Sequence, residues 1–459
     1  MKKKIRIEKI EVKKLFDRFN YDINLKNGHD VSILIAPNGC GKTTIFNIIS
    51  FMLNPTIKGF SDIATIPFEE CSLTLSNRRK LKLVRKKLNS DLKINHLEEY
   101  ARFFLKKAGV GSLNAYMDAL IHTELILSIG GKSINVGNAV KNLLTYEHLP
   151  FGDAGCVRLI SEIPYYENNN NDAIKLDSVN KIQKFLEDNS CDIVVNYTKA
   201  DRLHSKLGSL ASYSALNEDK DKDEDAIQIA VNHTQEIFRD LREQYNVLQS
   251  KAKDQLPKEY LAADENNPVY SEKEFINKWT KYVSDIEKYS NLGLINMADK
   301  ILSNKDLKAA YHSKGAFLCT YLSVFEKTLE PYEKEYERFK ILVDILNERN
   351  RITGKVFTFG KDGIVLTVNG KSLPLSCLSS GEKNDFIMFY SLIFSSDKNE
   401  LVLIDEPEIS LHIEWQETYL DYLTKICEMN GLQAIVATHS PNIVNGHFEL
   451  YAEKGLAYD

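Results

Sequence analysis

The residues best suited to chemistry in this chain are Lys42 and Thr43, which follow a glycine-bearing turn in Ala36-Pro-Asn-Gly-Cys-Gly-Lys-Thr-Thr44. A polyphosphate is wrapped by backbone N–H groups that all point inward, which requires small residues at Gly39 and Gly41, while the helix that follows offers its positive N-terminal end. Lys42 supplies a point charge for the β- and γ-phosphates, and the Thr43 hydroxyl suits a Mg²⁺ ligand. Ala36 stands where G-x-x-x-x-G-K-[ST] has its first glycine. The stretch reads as a nucleoside triphosphate site formed by Ala36, Pro37, Asn38, Gly39, Cys40, Gly41, Lys42, Thr43 and Thr44.

Three later clusters carry matching chemistry. Leu401-Val-Leu-Ile-Asp-Glu-Pro407 is an apolar strand ending in two carboxylates. Successive strand side chains point opposite ways, so Asp405 and Glu406 take different tasks: one binds Mg²⁺, the other accepts a proton from an attacking water. Gln433-Ala-Ile-Val-Ala-Thr-His439-Ser-Pro441 is a strand ending in a histidine, a neutral donor for a γ-phosphate. Leu378-Ser-Ser-Gly-Glu-Lys383 opens a helix marked by Phe386, Ile387, Phe389, Tyr390, Leu392 and Ile393. Ser379, Ser380, Gly381 and Glu382 therefore lie at a positive helix end.

These residues need a scaffold, and the apolar pattern predicts one. Val31–Ile35 reads as a buried strand and Ile45–Leu53 as an apolar helix, the strand–loop–helix setting a phosphate loop requires. Lys4–Val12 and Tyr21–Leu25 alternate as strands, and between them an aromatic or arginine of Leu15–Tyr21 either lies against a flat base or packs the strands. Cys71–Leu75 and Leu81–Arg85 predict a hairpin carrying Arg78, Arg79, Lys80, Lys82, Arg85, Lys86 and Lys87. That cluster either tracks a phosphodiester backbone or is a charged, solvated sheet edge.

Residues 91–149 are expected to be mostly short helices, Asn168–Asn171 an exposed polar loop, and Asp192–Tyr197 a buried strand that ends in Lys199–Leu203 and returns to the nucleotide sheet. After the charge run Asn217–Asp225, a solvated connector, Ile227, Val231, Thr234, Phe238, Leu241, Tyr245 and Leu248 form a heptad seam. A second stripe, Phe275, Trp279, Tyr282, Ile286 and Tyr289, starts after a Ser271-x-x-Glu274 capping box; a third is Tyr332, Tyr336, Phe339, Val343 and Leu346. The three predict a helical insertion packed as a short antiparallel coiled coil, its first arm about 35 Å long at 1.5 Å per residue. Lys355–Leu373 returns to strands with hairpin turns at Gly360–Gly363 and Asn369-Gly370.

A chain of 459 residues with 43% apolar and 27% charged residues has room for two or three cores. No apolar run reaches the roughly 18 residues that span a bilayer, and Met-Lys-Lys-Lys-Ile leads into strand residues, so the expectation is a cytoplasmic protein without a membrane partner. Seven cysteines, none at C-x-x-C spacing, predict reduced core thiols. A net charge of −5 gives no global reason for nucleic-acid binding, so any such surface must be local.

The order Lys42-Thr43, Leu378-Ser-Ser-Gly-Glu382, Asp405-Glu406, His439 resembles an ABC-type ATPase head: an α/β fold with a mixed sheet flanked by helices. The resemblance implies domains at 1–210 (first half of the head), 211–350 (helical coiled-coil insertion) and 351–459 (second half). It also implies ATP and Mg²⁺ as cofactors. By it, Lys42 and Thr43 bind phosphate and metal, Asp405 supports the metal, Glu406 is general base and His439 the γ-phosphate switch. Ser379, Ser380, Gly381 and Glu382 would reach the nucleotide of a second subunit, giving a homo-oligomer built on head dimers.

About 335 residues separate Lys42 from Leu378, wider than in transporter ATPases and similar to the SMC, RecF and RecN group. Asp405-Glu-Pro-Glu-Ile-Ser-Leu-His-Ile-Glu-Trp-Gln416 with Ala437-Thr-His-Ser-Pro441 resembles the ATPases of bacterial anti-phage systems: the overcoming-lysogenization-defect nucleases, Gabija, PtuA of Septu and AriA of PARIS. No glutamine precedes Gln183, so the usual glutamine loop is expected to be missing or replaced, and with twenty residues after His439 no Toprim domain is expected there. The resemblance therefore implies a defence ATPase that senses invasion, through DNA or a phage protein, and controls a separate Toprim or HNH nuclease. The alternative is a DNA-repair or chromosome-maintenance ATPase that binds DNA directly.

Overall fold

The computed structural model describes residues 4–25, 28–37, 39–55, 57–87, 123–136, 177–189, 191, 193–198, 222–264, 268–295, 304–360, 363–394, 400–409, 411 and 413–452. They form two compact units, 1–215 with 395–459, and 216–394. The predicted loop at 168–171, the segment 199–203, the first residues of the charge run and Asn38 lie outside the described residues.

The first unit opens with strands β1 (Ile7–Leu15), β2 (Phe19–Asn24) and β3 (Val31–Ile35), helices α1 (Lys42–Leu53) and α2 (Ile57–Ala64), and strands β4 (Glu70–Leu75) and β5 (Lys80–Lys87). After β6 (Thr123–Ile129) and β7 (Lys132–Asn135) come helix α3 (Asp177–Asp188) and strand β8 (Val194–Thr198). Six of these strands build an antiparallel sheet in the order β2-β1-β4-β5-β6-β7. Within 91–149, expected to be mostly short helices, residues 123–136 form the β6–β7 hairpin instead, and the remainder lies outside the described residues. Thr123, Leu125, Leu127 and Ile129 alternate inward, and Gly130 and Gly131 turn with φ of 57° and 82°, the left-handed pair a tight hairpin uses. Helices α2 and α3 had no sequence expectation.

The second unit begins with α4 (Lys222–Ala262), 41 residues long and so about 60 Å. It continues with α5 (Glu272–Asn291), α6 (Asn304–Phe325), α7 (Glu330–Arg349), β9 (Lys355–Gly360), β10 (Gly363–Val368), β11 (Lys371–Leu373) and α8 (Ser380–Phe394). The predicted capping box is formed: the Ser271 hydroxyl accepts from the Glu274 N–H and the Glu274 carboxylate from the Ser271 N–H. All three apolar stripes lie on helices, and Phe238, Phe275, Tyr332 and Phe339 are fully buried. Helix α4 packs against α6, α7, α8 and β10, so its heptad seam is the inner face of a globular unit. Helix α6, kinked at Lys314, is a fourth helix beyond the three stripes. The predicted hairpins form a separate antiparallel sheet, β11-β10-β9, turning at Asn369 and Gly370 with positive φ. Residues 351–394 thus belong by their packing to this unit.

The chain returns to the first unit with β12 (Glu400–Asp405), α9 (Ile413–Asn430), β13 (Gln433–Thr438) and α10 (Pro441–Val444). A parallel sheet results, ordered β3-β13-β12-β8. The inner strands β12 and β13 are near-continuous apolar runs with every residue buried, as in a parallel sheet covered on both faces; β8, expected to be buried, is instead an outer strand with Val194 51% exposed and Val195, Asn196 and Tyr197 half-buried. Phe46, Ile49 and Met52 of α1 share one core with Leu73, Leu83 and Leu127 of the antiparallel sheet and Leu403 and Ile435 of the parallel one. Truncating a side chain such as Phe46 there costs about 3–5 kcal/mol. Register sets Asp405 beside Ala437 and Thr438 beside Ile35, so the segments starting at Ala36, Glu406 and His439 leave one sheet edge together. That edge, at the carboxyl ends of parallel strands, is where open α/β sheets hold ligands.

Candidate functional site

Strand β3 delivers the chain into the turn 36–41, where Gly39 and Gly41 take φ of 84° and 82°. At Gly41 a Cβ would also lie 2.8 Å from Leu15 Cδ2, so both conformation and space demand glycine. The Tyr21 hydroxyl of β2 donates to the Cys40 carbonyl at 2.5 Å and ties the loop to the antiparallel sheet. Lys42, only 6% exposed, donates from Nζ to the Ala36 and Pro37 carbonyls at 2.7 and 3.2 Å, and Glu406 Oε1 stands 3.7 Å away. A buried ammonium is tolerated when it is so surrounded. Phosphate oxygens could replace these partners one for one. Thr44, the third residue of the helix, is half-buried.

Thr43 Oγ1 donates to Asp405 Oδ2 at 2.5 Å, which joins the first helical turn to the end of β12. Burial pushes the Asp405 carboxyl above the usual range, Glu406 and Glu408 add to this, and the Thr43 hydroxyl and Lys42 only partly oppose it. Asp405 Oδ1 is buried with no hydrogen-bond partner among the described residues. A hydroxyl and an under-used carboxylate, both hard oxygen donors, fit Mg²⁺, whose charge would favour the ionised carboxylate against the effect of burial. Among the described residues no group of three or more His, Cys, Asp or Glu is arranged to hold a metal, so an ion here would rest on Thr43, Asp405 and phosphate oxygens.

The expected separation by strand alternation does not apply, because β12 ends at Asp405; Glu406 meets different partners through a turned backbone. Its φ is 49°, a left-handed conformation that costs a non-glycine residue about 1 kcal/mol or more. The hydrogen bond from its N–H to the Ala437 carbonyl at 2.8 Å holds it there. Its Oε1 faces both Lys42 Nζ and His439 Nδ1, each at 3.7 Å. His439 has a 43% exposed side chain at the end of β13.

Sequence reasoning gave no role to Glu408, Gln416 or Ser440, yet all three enter this cluster. Glu408 Oε1 accepts from Thr438 Oγ1 at 2.8 Å and the His439 N–H at 3.0 Å, and lies 3.1 Å from His439 Nδ1. Gln416 donates to the Glu408 and Leu411 carbonyls at 3.3 and 3.1 Å and accepts from Ser440 Oγ at 2.9 Å. The available signal was the second carboxylate in Glu406-Pro-Glu408.

Other candidate residues lie elsewhere. Ser379, Ser380, Gly381 and Glu382 belong to the second unit, at the start of α8, with the first three exposed. There the Ser379 N–H donates to Glu382 Oε2 at 2.7 Å, the Glu382 N–H to Ser379 Oγ at 3.4 Å, and Lys355 Nζ to Glu382 Oε2 at 2.5 Å: a capping box with a cation behind it. Burial works against the Glu382 charge, but Lys355 and the Ser379 donors outweigh it and lower the pKa. In the basic hairpin, Arg79 donates to the Asn189 carbonyl, Lys80 pairs with Glu11, Lys82 with Glu70 at 2.7 Å, and Arg85 with the Ala64 carbonyl at 3.2 Å. Arg78 occupies the turn with φ of 63°. Of the aromatics in 15–21, Tyr21 is buried, Phe19 carries the Arg18 guanidinium over its ring, and Phe16 is 39% exposed.

A glycine turn between a parallel strand and a helix, with a hydroxyl–carboxylate pair whose oxygens fit Mg²⁺ and a second carboxylate at the end of a strand two places away, has the layout of the α/β phosphate-loop class. The chain belongs to the AAA ATPase domain family (AAA_15), which it matches over residues 6–444. It is similar to the spermidine/putrescine import ATP-binding protein PotA of Mycoplasma genitalium, 23% identical over 433 residues that cover 91% of this chain and 68% of that protein. Among solved structures it matches the Smc head domain with an extended coiled coil, bound to the C-terminal domain of ScpA, from Pyrococcus furiosus: 12% identity, 99% and 96% of the two chains, TM-score 0.35. No described helix is long and apolar enough to cross a membrane.

Proposed function

We propose that the chain is an ABC-type ATP hydrolase whose heads pair through bound ATP, acting as the ATPase subunit of a cytoplasmic anti-phage assembly. The observation that carries the catalytic part is the junction of Thr43 with Asp405, flanked by Glu406 within 3.7 Å of both Lys42 and His439. In this reading the 36–44 loop holds the phosphates, with Lys42 moving its ammonium from loop carbonyls to phosphate oxygens. Thr43 and Asp405 hold Mg²⁺, which when bound neutralises charge developing on the β- and γ-oxygens. Glu406, outside the metal pair, orients and deprotonates the attacking water, and His439 contacts the γ-phosphate. Ser379, Ser380, Gly381 and Glu382 serve the nucleotide of a neighbouring copy, which makes the working form a homo-oligomer.

The defence role is supported by the sequence resemblance of 405–416 and 437–441 to anti-phage ATPases. It places a separate Toprim or HNH nuclease under this subunit's control, with DNA or a phage protein as trigger. The rival reading, direct DNA binding through the 78–87 hairpin, is weakened by the acids and carbonyls that already engage Arg79, Lys80, Lys82 and Arg85.

Replacing the base tests the catalytic assignment most directly. Glu406→Gln should lower the ATPase rate by about 10²–10⁴-fold while retaining ATP and, in light scattering with MgATP, showing a dimer or larger species. A rate equal to wild type would refute the base. Lys42→Ala should abolish binding in calorimetry. Replacing Arg78, Arg79 and Lys80 should leave DNA affinity and its salt slope unchanged; a fall in both would favour the rival.

A further inference from the structure

We infer that Tyr21 is a positioning residue for the phosphate loop: its hydroxyl fixes the Cys40–Gly41 peptide so that the Gly41 N–H is aimed at bound phosphate. The inference rests on the proposed reading of residues 36–44 as a phosphate site and deepens it. Strand alternation turns Tyr21 and Ile23 of β2 to the buried side, and Tyr21 is only 3% exposed. From there its hydroxyl donates to the Cys40 carbonyl at 2.5 Å, a bond from the antiparallel sheet to a loop that leaves the parallel one. Gly41 is seated by a second contact, because a Cβ there would lie 2.8 Å from Leu15 Cδ2 and 3.0 Å from Phe16 Cε2.

The geometry of one peptide carries the consequence. In a planar trans peptide the carbonyl of one residue and the N–H of the next point in opposite directions. Tyr21 holds the Cys40 carbonyl toward the antiparallel sheet, which turns the Gly41 N–H away from it. The Gly41 carbonyl is engaged by the Ile45 N–H at 2.9 Å, whereas the Gly41 N–H has no hydrogen-bond partner among the described residues. A donor left over at the start of a helix is matched by the oxygens of a polyphosphate. A flipped peptide plane would present the Cys40 carbonyl oxygen to those oxygens instead, and glycine at 41 offers little resistance to the flip. Tyr21 therefore sets a phosphate contact without touching the nucleotide.

Cys40-Gly41 is the only Cys-Gly step in the sequence, so ¹³C-carbonyl cysteine combined with ¹⁵N-glycine gives one peptide signal in a triple-resonance spectrum of the full chain. In wild type, inorganic tripolyphosphate should move the Gly41 amide proton downfield, as a charged acceptor does; a resonance that stays in place overturns the inference with no variant needed. In Tyr21→Phe the nucleotide-free Cys40 carbonyl carbon should move upfield through loss of its donor, and an unmoved carbon also overturns it. The same variant should weaken tripolyphosphate and MgADP in calorimetry and raise KM for MgATP, each about 3–10-fold, the worth of one hydrogen bond. Most of the kinetic effect should lie in KM and little in kcat, because the contact is made alike in the ground and transition states. A hydroxyl that merely satisfies burial would lower the melting temperature and leave these constants alone, a result that overturns the inference. Wild-type protein that binds tripolyphosphate and MgATP without turnover would instead defeat the proposed hydrolase, while the Gly41 and Cys40 resonances still decide the role of Tyr21.

Discussion

The two glycines of the phosphate loop separate conformational cost from packing cost. Both take φ near 80°, but a Cβ on Gly39 meets nothing within 4 Å, whereas on Gly41 it meets Leu15 Cδ2 at 2.8 Å and Phe16 Cε2 at 3.0 Å. Gly39→Ala should cost about 1–2 kcal/mol, the left-handed penalty, and Gly41→Ala about 2–5 kcal/mol once overpacking is added. Urea midpoints of the two variants measure the difference, and equal values would mean that Leu15 yields without cost. At this scale the sequence was readable where a residue type meets a fixed spacing: Lys42, Thr43, Asp405 and Glu406 converge at one strand edge. Glu408 was not readable, because its partners, the Thr438 hydroxyl and the His439 N–H, lie far along the chain and come close only through the neighbouring positions of β12 and β13.

Elements were legible where one periodicity ruled and obscure where two competed. The buried parallel strands and the helix stripes followed from uninterrupted apolar runs and heptad spacing. The β6–β7 hairpin did not, since four alternating residues and a Gly-Gly turn are a short signal inside a long mixed stretch. The basic hairpin shows how sheet neighbours change the meaning of charge. Glu11 on β1 sits across from it; the Lys80 hydrogen bond, with help from Lys9 and against burial, pulls its pKa from 4.5 to about 2. A carboxylate depressed in the folded state adds stability above its unfolded pKa and loses it as pH falls through the folded one. Glu11→Gln should therefore remove about 1 kcal/mol at pH 7, discounted for partial exposure, and flatten the loss of stability between pH 4.5 and 2. Urea melts across that range check it; parallel wild-type and variant curves would show that the pair contributes nothing.

At the scale of the whole chain, the two units differ in how their cores are assembled, and that difference governs which pieces can stand alone. Residues 216–394 are one continuous segment with its own aromatic core, so this fragment should show helical circular dichroism and a cooperative thermal transition. The first unit is closed by the end of the chain: β3 and β8 are the outer strands of the order β3-β13-β12-β8, and both inner strands come from 395–459. Fragment 1–215 lacks the strands that pair with β3 and β8, and it also lacks Asp405, Glu406 and His439. It should neither complete the parallel sheet nor bind ATP in calorimetry, although it carries the whole phosphate loop. Nucleotide affinity close to that of the intact chain in 1–215 alone would show that the loop does not depend on β12 and β13, and would remove the reason for reading Thr43 and Asp405 as one site.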